Sequence, residues 1–182
     1  MATAFQNQLT NRNFLSPAAF QFNITKTPKV SFFCTSASIP SISLDTNTQP
    51  SYLKDIDLPG EKLDYENLTL RFLVDEDLKN YMAIHNWMTG LGFPESTKDF
   101  KDEITKPDTS IDMNQQYSDG SLIIQNSNFR TNAIVKFKDL FPTALTSLEF
   151  DTGVTDIQYF TAQVTFKYLV YNIVAADGRT KL

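Results

Sequence analysis

Residues 157–171, Ile-Gln-Tyr-Phe-Thr-Ala-Gln-Val-Thr-Phe-Lys-Tyr-Leu-Val-Tyr, constrain the fold more than any other stretch. Phe160, Ala162, Val164, Phe166, Tyr168 and Val170 fall on one side of an extended strand, and Thr161, Gln163, Thr165 and Lys167 on the other. Successive strand side chains point to opposite faces, so this reads as a ribbon with one apolar and one polar side. At ~3.3 Å per residue it reaches roughly 45–50 Å, whereas the commonest strand has only ~5–6 residues. Such a ribbon outreaches a compact core. The expectation is a sheet that continues into something larger, such as a barrel shared between subunits.

The 182 residues fit one domain, 1–182, with enough length to bury a sizeable core. With 41% hydrophobic and 20% charged residues, the middle of the chain is not a disordered polymer. The 15 Phe and 7 Tyr favour β-structure. A net charge of −5 argues against gripping a phosphate backbone, which takes clustered Lys and Arg. It leaves room for a surface past which nucleic acid slides. The single cysteine, Cys34, excludes an intrachain disulfide and reads as a small buried hydrophobe. Residues 1–10 carry no basic segment followed by an apolar core, so no signal peptide is expected, and no apolar run approaches the ~20 residues of a membrane span.

Along the chain, residues 1–19 read as an N-terminal arm. Phe20, Phe22 and Ile24 alternate, Thr27-Pro28-Lys29 turns the chain, and residues 30–36 form a second strand, so the pair is expected to be a hairpin. Residues 37–64, punctuated by Pro40, Pro50 and Pro59-Gly60, read as a long loop. From Tyr65 to Val74 the alternation is strong: Leu68, Leu70, Phe72 and Val74 on one face, Asn67, Thr69 and Arg71 on the other. The period then changes. Asp75 suits an N-cap, and Tyr81, Ile84, Trp87, Met88 and Leu91 form a helix-packing stripe, so a helix is expected over about 75–91, ended by Gly90, Gly92 and Pro94. Residues 94–119 read as an exposed excursion. Strands resume at 121–125 and 133–138, Asp139 to Thr143 reads as a turn because Pro142 cannot donate to a ladder, Leu148 and Phe150 share a strand face, and 175–182 is a polar C-terminal tail. The fold class expected is mainly β: an antiparallel β-sandwich or barrel with one flanking α-helix.

No constellation supports catalysis. His85 is the lone histidine and lacks convergent partners for a metal site or a nucleophile triad. Nothing near Cys34 activates a thiolate. Asp75, Glu76 and Asp77 read as helix-terminal acids, and Asp99, Asp102 and Glu103 as a solvated face. The six glycines never cluster into a phosphate-cradling loop. The expectation is a non-enzyme with no catalytic residue, cofactor or metal.

The order of these parts resembles the tail tube protein family of contractile-tailed bacteriophages, which is related to the type VI secretion tube proteins. The resemblance rests on Phe20-Gln21-Phe22, the segment Phe32-Phe33-Cys34-Thr35-Ser36-Ala37-Ser38-Ile39-Pro40, the strand Leu68–Val74 running into a helix that contains Trp87-Met88, Leu140-Phe141-Pro142-Thr143, Leu148-Glu149-Phe150-Asp151, and the final ribbon from Phe160 to Tyr171. It covers roughly residues 14–172. The 94–119 excursion and the extension beyond Tyr171 depart from a plain tube subunit and leave room for a tube initiator at the baseplate or a terminator at the head-proximal end.

The resemblance implies a structural virion protein of the phage tail, assembled in the host cytoplasm. Six copies close a β-barrel ring, and rings stack around a channel through which DNA passes. Its partners are then other copies of itself and sheath, baseplate or terminator proteins, with no membrane. The core face carries Leu68, Leu70, Phe72, Val164, Phe166 and Tyr168, covered by the helix. The lumen-facing candidates are Asn67, Thr69, Arg71, Thr161, Gln163, Thr165 and Lys167. The two cations among them pair with acids such as Glu149 or Asp151, or lie at the rim. Residues 37–64 reach toward the next ring or subunit, and 94–119 lies outside. From another class, a stand-alone β-sandwich binding module requires exposed aromatics such as Tyr52, Trp87 and Tyr117 to converge.

Overall fold

The computed structural model describes residues 14–28, 30, 34–92, 116–151, 153 and 159–181. Among these residues the named elements follow in chain order: β1 (Phe20–Ile24), β2 (Cys34–Ala37), β3 (Ile42–Gln49), β4 (Ile56–Tyr65), β5 (Leu68–Leu73), α1 (Lys79–Gly92), β6 (Ser118–Gln125), β7 (Thr131–Leu145), β8 (Thr161–Lys167) and β9 (Val170–Ala175). All pairing is antiparallel. One seven-stranded sheet runs β1-β6-β7-β8-β5-β2, with β9 also on β7, and β3 and β4 form a separate two-stranded sheet. The fold is mainly β with a flanking helix, as the alternation predicts.

The long strand is not where the alternation places it. Residues 157–158 lie outside the described residues, and the rest of the ribbon is two strands. β8 pairs with β5 and with Phe141–Leu145 of β7, whereas β9 pairs with Ala133–Lys138 of β7. The break falls at Tyr168-Leu169, opposite Asp139, whose φ is +54°. Both strands thus turn the same corner together, carrying the sheet from one half to the other. The extended element is β7, at 15 residues. It runs straight through the turn expected at Asp139 to Thr143, because Pro142 sits at a register shift where a missing N–H does no harm.

Three other expectations change. The hairpin over residues 20–36 does not form: β1 pairs with β6 and β2 with β5, because the apolar face of β1 joins Leu122 and Val135 in the core. Residues 31–33 lie outside the described residues. The loop over 37–64 is in fact the β3–β4 hairpin. Leu148 and Phe150 lie in an irregular segment after β7 instead of a strand, where the Phe150 ring leans on Phe160 at 4.8 Å between centroids. Of the expected 94–119 excursion, 94–115 lies outside the described residues, as do 1–13 of the N-terminal arm. The C-terminal tail folds back: Asp177 accepts from the N–H groups of Arg179 and Thr180, Lys136 Nζ donates to the Gly178 carbonyl at 2.8 Å, and Lys181 bridges to Val174.

The core lies between the two halves of the sheet. Phe22, Ile24, Leu122, Val135, Phe137 and Leu140 meet Leu68, Leu70, Phe72, Ala162, Val164 and Phe166, all buried. α1 covers this core with Ile84 and Trp87, and the Trp87 ring stands 6.1 Å from that of Phe166. The buried indole N–H donates to the Gln116 carbonyl at 3.0 Å, as a buried donor must. Tyr81, Met88 and Leu91 are half-buried beside it. The helix starts at Lys79, three residues later than the Asp75 cap implies. The buried Asn80 amide explains this. Its Nδ2 donates to the Leu73 carbonyl and its Oδ1 accepts from the Asp75 N–H, which holds residues 75–78 in a turn with Leu78 at φ +55°.

Candidate functional site

The alternation that buries one face of β5 and β8 sends the other outward. In register, Thr69 faces Thr165, Arg71 faces Gln163, and Leu73 faces Thr161. Thr161, Arg71 and Lys167 are exposed, and Thr69, Gln163 and Thr165 are half-buried. Asn67, Thr69 and Lys167 also line a polar cleft of about 620 Å³ with Asp64, Glu66 and Tyr168. The seven candidate lumen residues therefore make one polar strip. Its two cations are Arg71 and Lys167, and among the described residues neither forms an ion pair with Glu149 or Asp151. On the opposite face Leu68, Leu70, Phe72, Val164 and Phe166 are fully buried, and Tyr168 is half-buried.

The second surface is the β3–β4 arm, whose structure the sequence reading missed. Among the described residues it pairs with no other strand, and from Ile42 to Asp64 every residue except Gly60 is exposed. Ile42, Leu44, Ile56, Leu58 and Leu63 lie along it, with Tyr52 and Leu53 at the tip, 99% and 91% exposed. Among the described residues nothing covers these apolar side chains, which makes the arm the most apolar exposed surface the structure shows. The arm carries Asp45, Asp55, Asp57, Glu61 and Asp64 against Lys54 and Lys62, so it is acidic. The faint signal for it is apolar spacing at 42/44 and 56/58.

A third feature is the sheet's own edges. β1 and β2 end the strand order, so each has a side with no strand on it among the described residues. An open edge is a template for another strand.

Neither Cys34 nor His85 is placed for catalysis among the described residues. Burial pushes the Cys34 thiol up to about 11, opposite to what a nucleophile needs. His85 is exposed on α1. Among the described residues no group of three His, Cys, Asp or Glu stands close enough to hold a metal ion, and no helix is long and apolar enough to cross a membrane. Tyr52, Trp87 and Tyr117 do not converge: Trp87 is buried on the core-facing side of α1, Tyr117 packs on Phe141, and Tyr52 sits at the arm's tip.

Comparison with known proteins fits this arrangement. A family model described as phage tail tube protein matches residues 2–174. The tail tube terminator protein of Enterobacteria phage T4 is 32% identical over 94 residues, which span 46% of this chain and 48% of that protein, so the match reaches about half the length of the relative. Among solved structures, the tube-terminating cap of the anti-feeding prophage has a TM-score of 0.63 at 20% identity, covering 96% of this chain and 99% of that one. The sheath/tube terminator of an extracellular contractile injection system has a TM-score of 0.55 at 18% identity, covering 91% and 100%. An Hcp protein has a TM-score of 0.50 at 7% identity, covering 92% and 98%. At these identities the structures speak to the fold alone. The family model spans nearly the whole chain, and this protein belongs to the phage tail tube protein family.

Proposed function

We propose that this protein is a structural virion component that ends a contractile tail tube, as a terminator ring at one end. The observation that carries this reading is the likeness to a tail tube terminator in sequence. The open edges of β1 and β2 suit closure with neighbouring copies, which removes unpaired backbone groups. In a ring of six, the strip of Asn67, Thr69, Arg71, Thr161, Gln163, Thr165 and Lys167 lines the channel. Mostly small, uncharged side chains there let DNA pass without strong binding, and Arg71 and Lys167 supply the only cations of the strip. The arm reaches toward an adjacent ring or subunit and docks through its apolar side chains. Sheath or tube proteins are the other partners. The protein acts without catalysis, cofactor or metal.

The tube subunit itself, forming open stacks of rings, is the second reading, favoured by the family model that spans residues 2–174. Adding the purified protein to polymerising tube subunits of the same tail separates the two. A terminator shortens the tubes and appears at one end. Incorporation along the length, with no effect on it, overturns the proposal.

A further inference from the structure

A two-stranded hairpin alone in water is marginally stable, and among the described residues no strand pairs along this arm's length to fix its direction. The direction has to be set at the root, where three tyrosines meet. Tyr65, the last residue of β4, packs edge-on against Tyr168 at 6.2 Å and Tyr171 at 5.6 Å between ring centroids. Phe137 of β7 stands against the same two rings, at 5.2 and 5.7 Å. The hydroxyls reach further. Tyr168 Oη donates to the carbonyl of Glu66, just past β4, at 2.8 Å, and Tyr171 Oη donates to the carbonyl of Pro40, just before β3, at 3.1 Å. Neither Pro40 nor Glu66 lies in a strand, so both carbonyls stand outside the ladders. The Glu66 N–H closes the last rung on the Ser41 carbonyl at 3.1 Å.

Packing alone asks only for aromatic rings at 168 and 171. It does not ask for two hydroxyls, one on each root of the same arm. We infer that Tyr168 and Tyr171 are positioning residues: their hydroxyls clamp both roots of the arm to the corner between β8 and β9, and fix the direction in which the arm leaves the body before any partner arrives. Tyr168 sits at the corner itself and Tyr171 on the strand that follows, so the arm's direction is tied to the bend of the sheet. Desolvation, helped by the neighbouring Tyr171, Tyr65 and Glu66, pushes the Tyr168 phenol up to about 12, so it remains a donor across all ordinary pH. An arm preset in this way loses less freedom on docking than a swinging one. That consequence rests on the proposed docking role, whereas the clamp does not.

The test measures a distance. Spin labels go on Tyr52→Cys at the tip and His85→Cys on the exposed side of α1, in a Cys34→Ser background, with labelled chain diluted into excess unlabelled chain. With both tyrosines intact, one narrow distance distribution is expected. In the Tyr168→Phe/Tyr171→Phe variant, which keeps both rings, the distribution should widen at least twofold. An unchanged width overturns the clamp. If the double variant does not fold, each single Phe variant should widen the distribution to a lesser degree, and no widening in either has the same adverse meaning. Ring yield in the same variants bears separately on the arm's docking role: widened distances with undiminished rings leave the clamp standing and remove the docking proposal.

Discussion

Gly60 of β4 lies directly against the main-chain carbonyl of Asp45 on the facing strand, and a Cβ at Gly60 would overlap that oxygen and its carbon. The close approach falls where the register shifts between Leu44 and Thr46. Glycine is therefore required there by space and not by backbone angle. Gly60→Ala should open the arm while leaving the body intact. The melting transition, dominated by the core, should move by no more than about 2 °C, while amide exchange across 42–65 rises and ring yield falls. Unchanged exchange in the arm would contradict this.

Phe166 is fully buried between Leu68 on the paired strand and the Trp87 ring. Phe166→Asp places a carboxylate in that apolar contact with no partner, at a cost of about 3–5 kcal/mol or more, a large share of the about 5–15 kcal/mol that holds a domain folded. Loss of the folded state by circular dichroism is expected. Soluble, ring-forming Phe166→Asp protein would refute the face assignment of β8.

Phe129 turns the β6–β7 hairpin at φ +56° with its ring 76% exposed. The turn is built by Asn126, whose Oδ1 accepts from the Asn128 and Arg130 N–H groups. A left-handed angle costs an L-residue about 1–2 kcal/mol and costs glycine little. Phe129→Gly should raise stability by about 0.5–1 kcal/mol after the entropy of the freer unfolded chain is counted, read as a higher melting temperature. A fall would show that the exposed ring does more than the structure indicates.

Tyr168 carries a pH signature. Its folded pKa is about 12 against 10.0 for an ordinary phenol, so the folded state holds the proton more tightly. Its contribution to stability is whole below pH 10 and is lost as pH rises through about 12. Phenolate absorbance should show a step later than that of an ordinary phenol, absent in Tyr168→Phe. Persistence of that step in the variant would assign it to another tyrosine.

What was legible in the sequence followed from burial on one side. Leu68, Leu70 and Phe72, and Ala162, Val164 and Phe166, alternate because one face is in the core and the other is not, and the Ile84–Trp87 stripe appears for the same reason at helical spacing. The arm has both faces exposed, so only the short apolar spacing at 42/44 and 56/58 marks it, and Pro59-Gly60 inside β4 looks like a breaker. It is tolerated because the arm has only one ladder to satisfy. The corner at Tyr168-Leu169 was hidden for the opposite reason: apolar spacing continues across it while the hydrogen-bonding partner strand segment changes. The tyrosine clamp carried no periodic signal, since its meaning lies in contacts with Pro40 and Glu66, more than 100 residues away in sequence.

Negative-stain electron microscopy of the purified protein tests the proposed role most directly. Single closed rings with a central hole, not growing into stacks, are the predicted result. Featureless monomers, or open stacks of indefinite length, would contradict it.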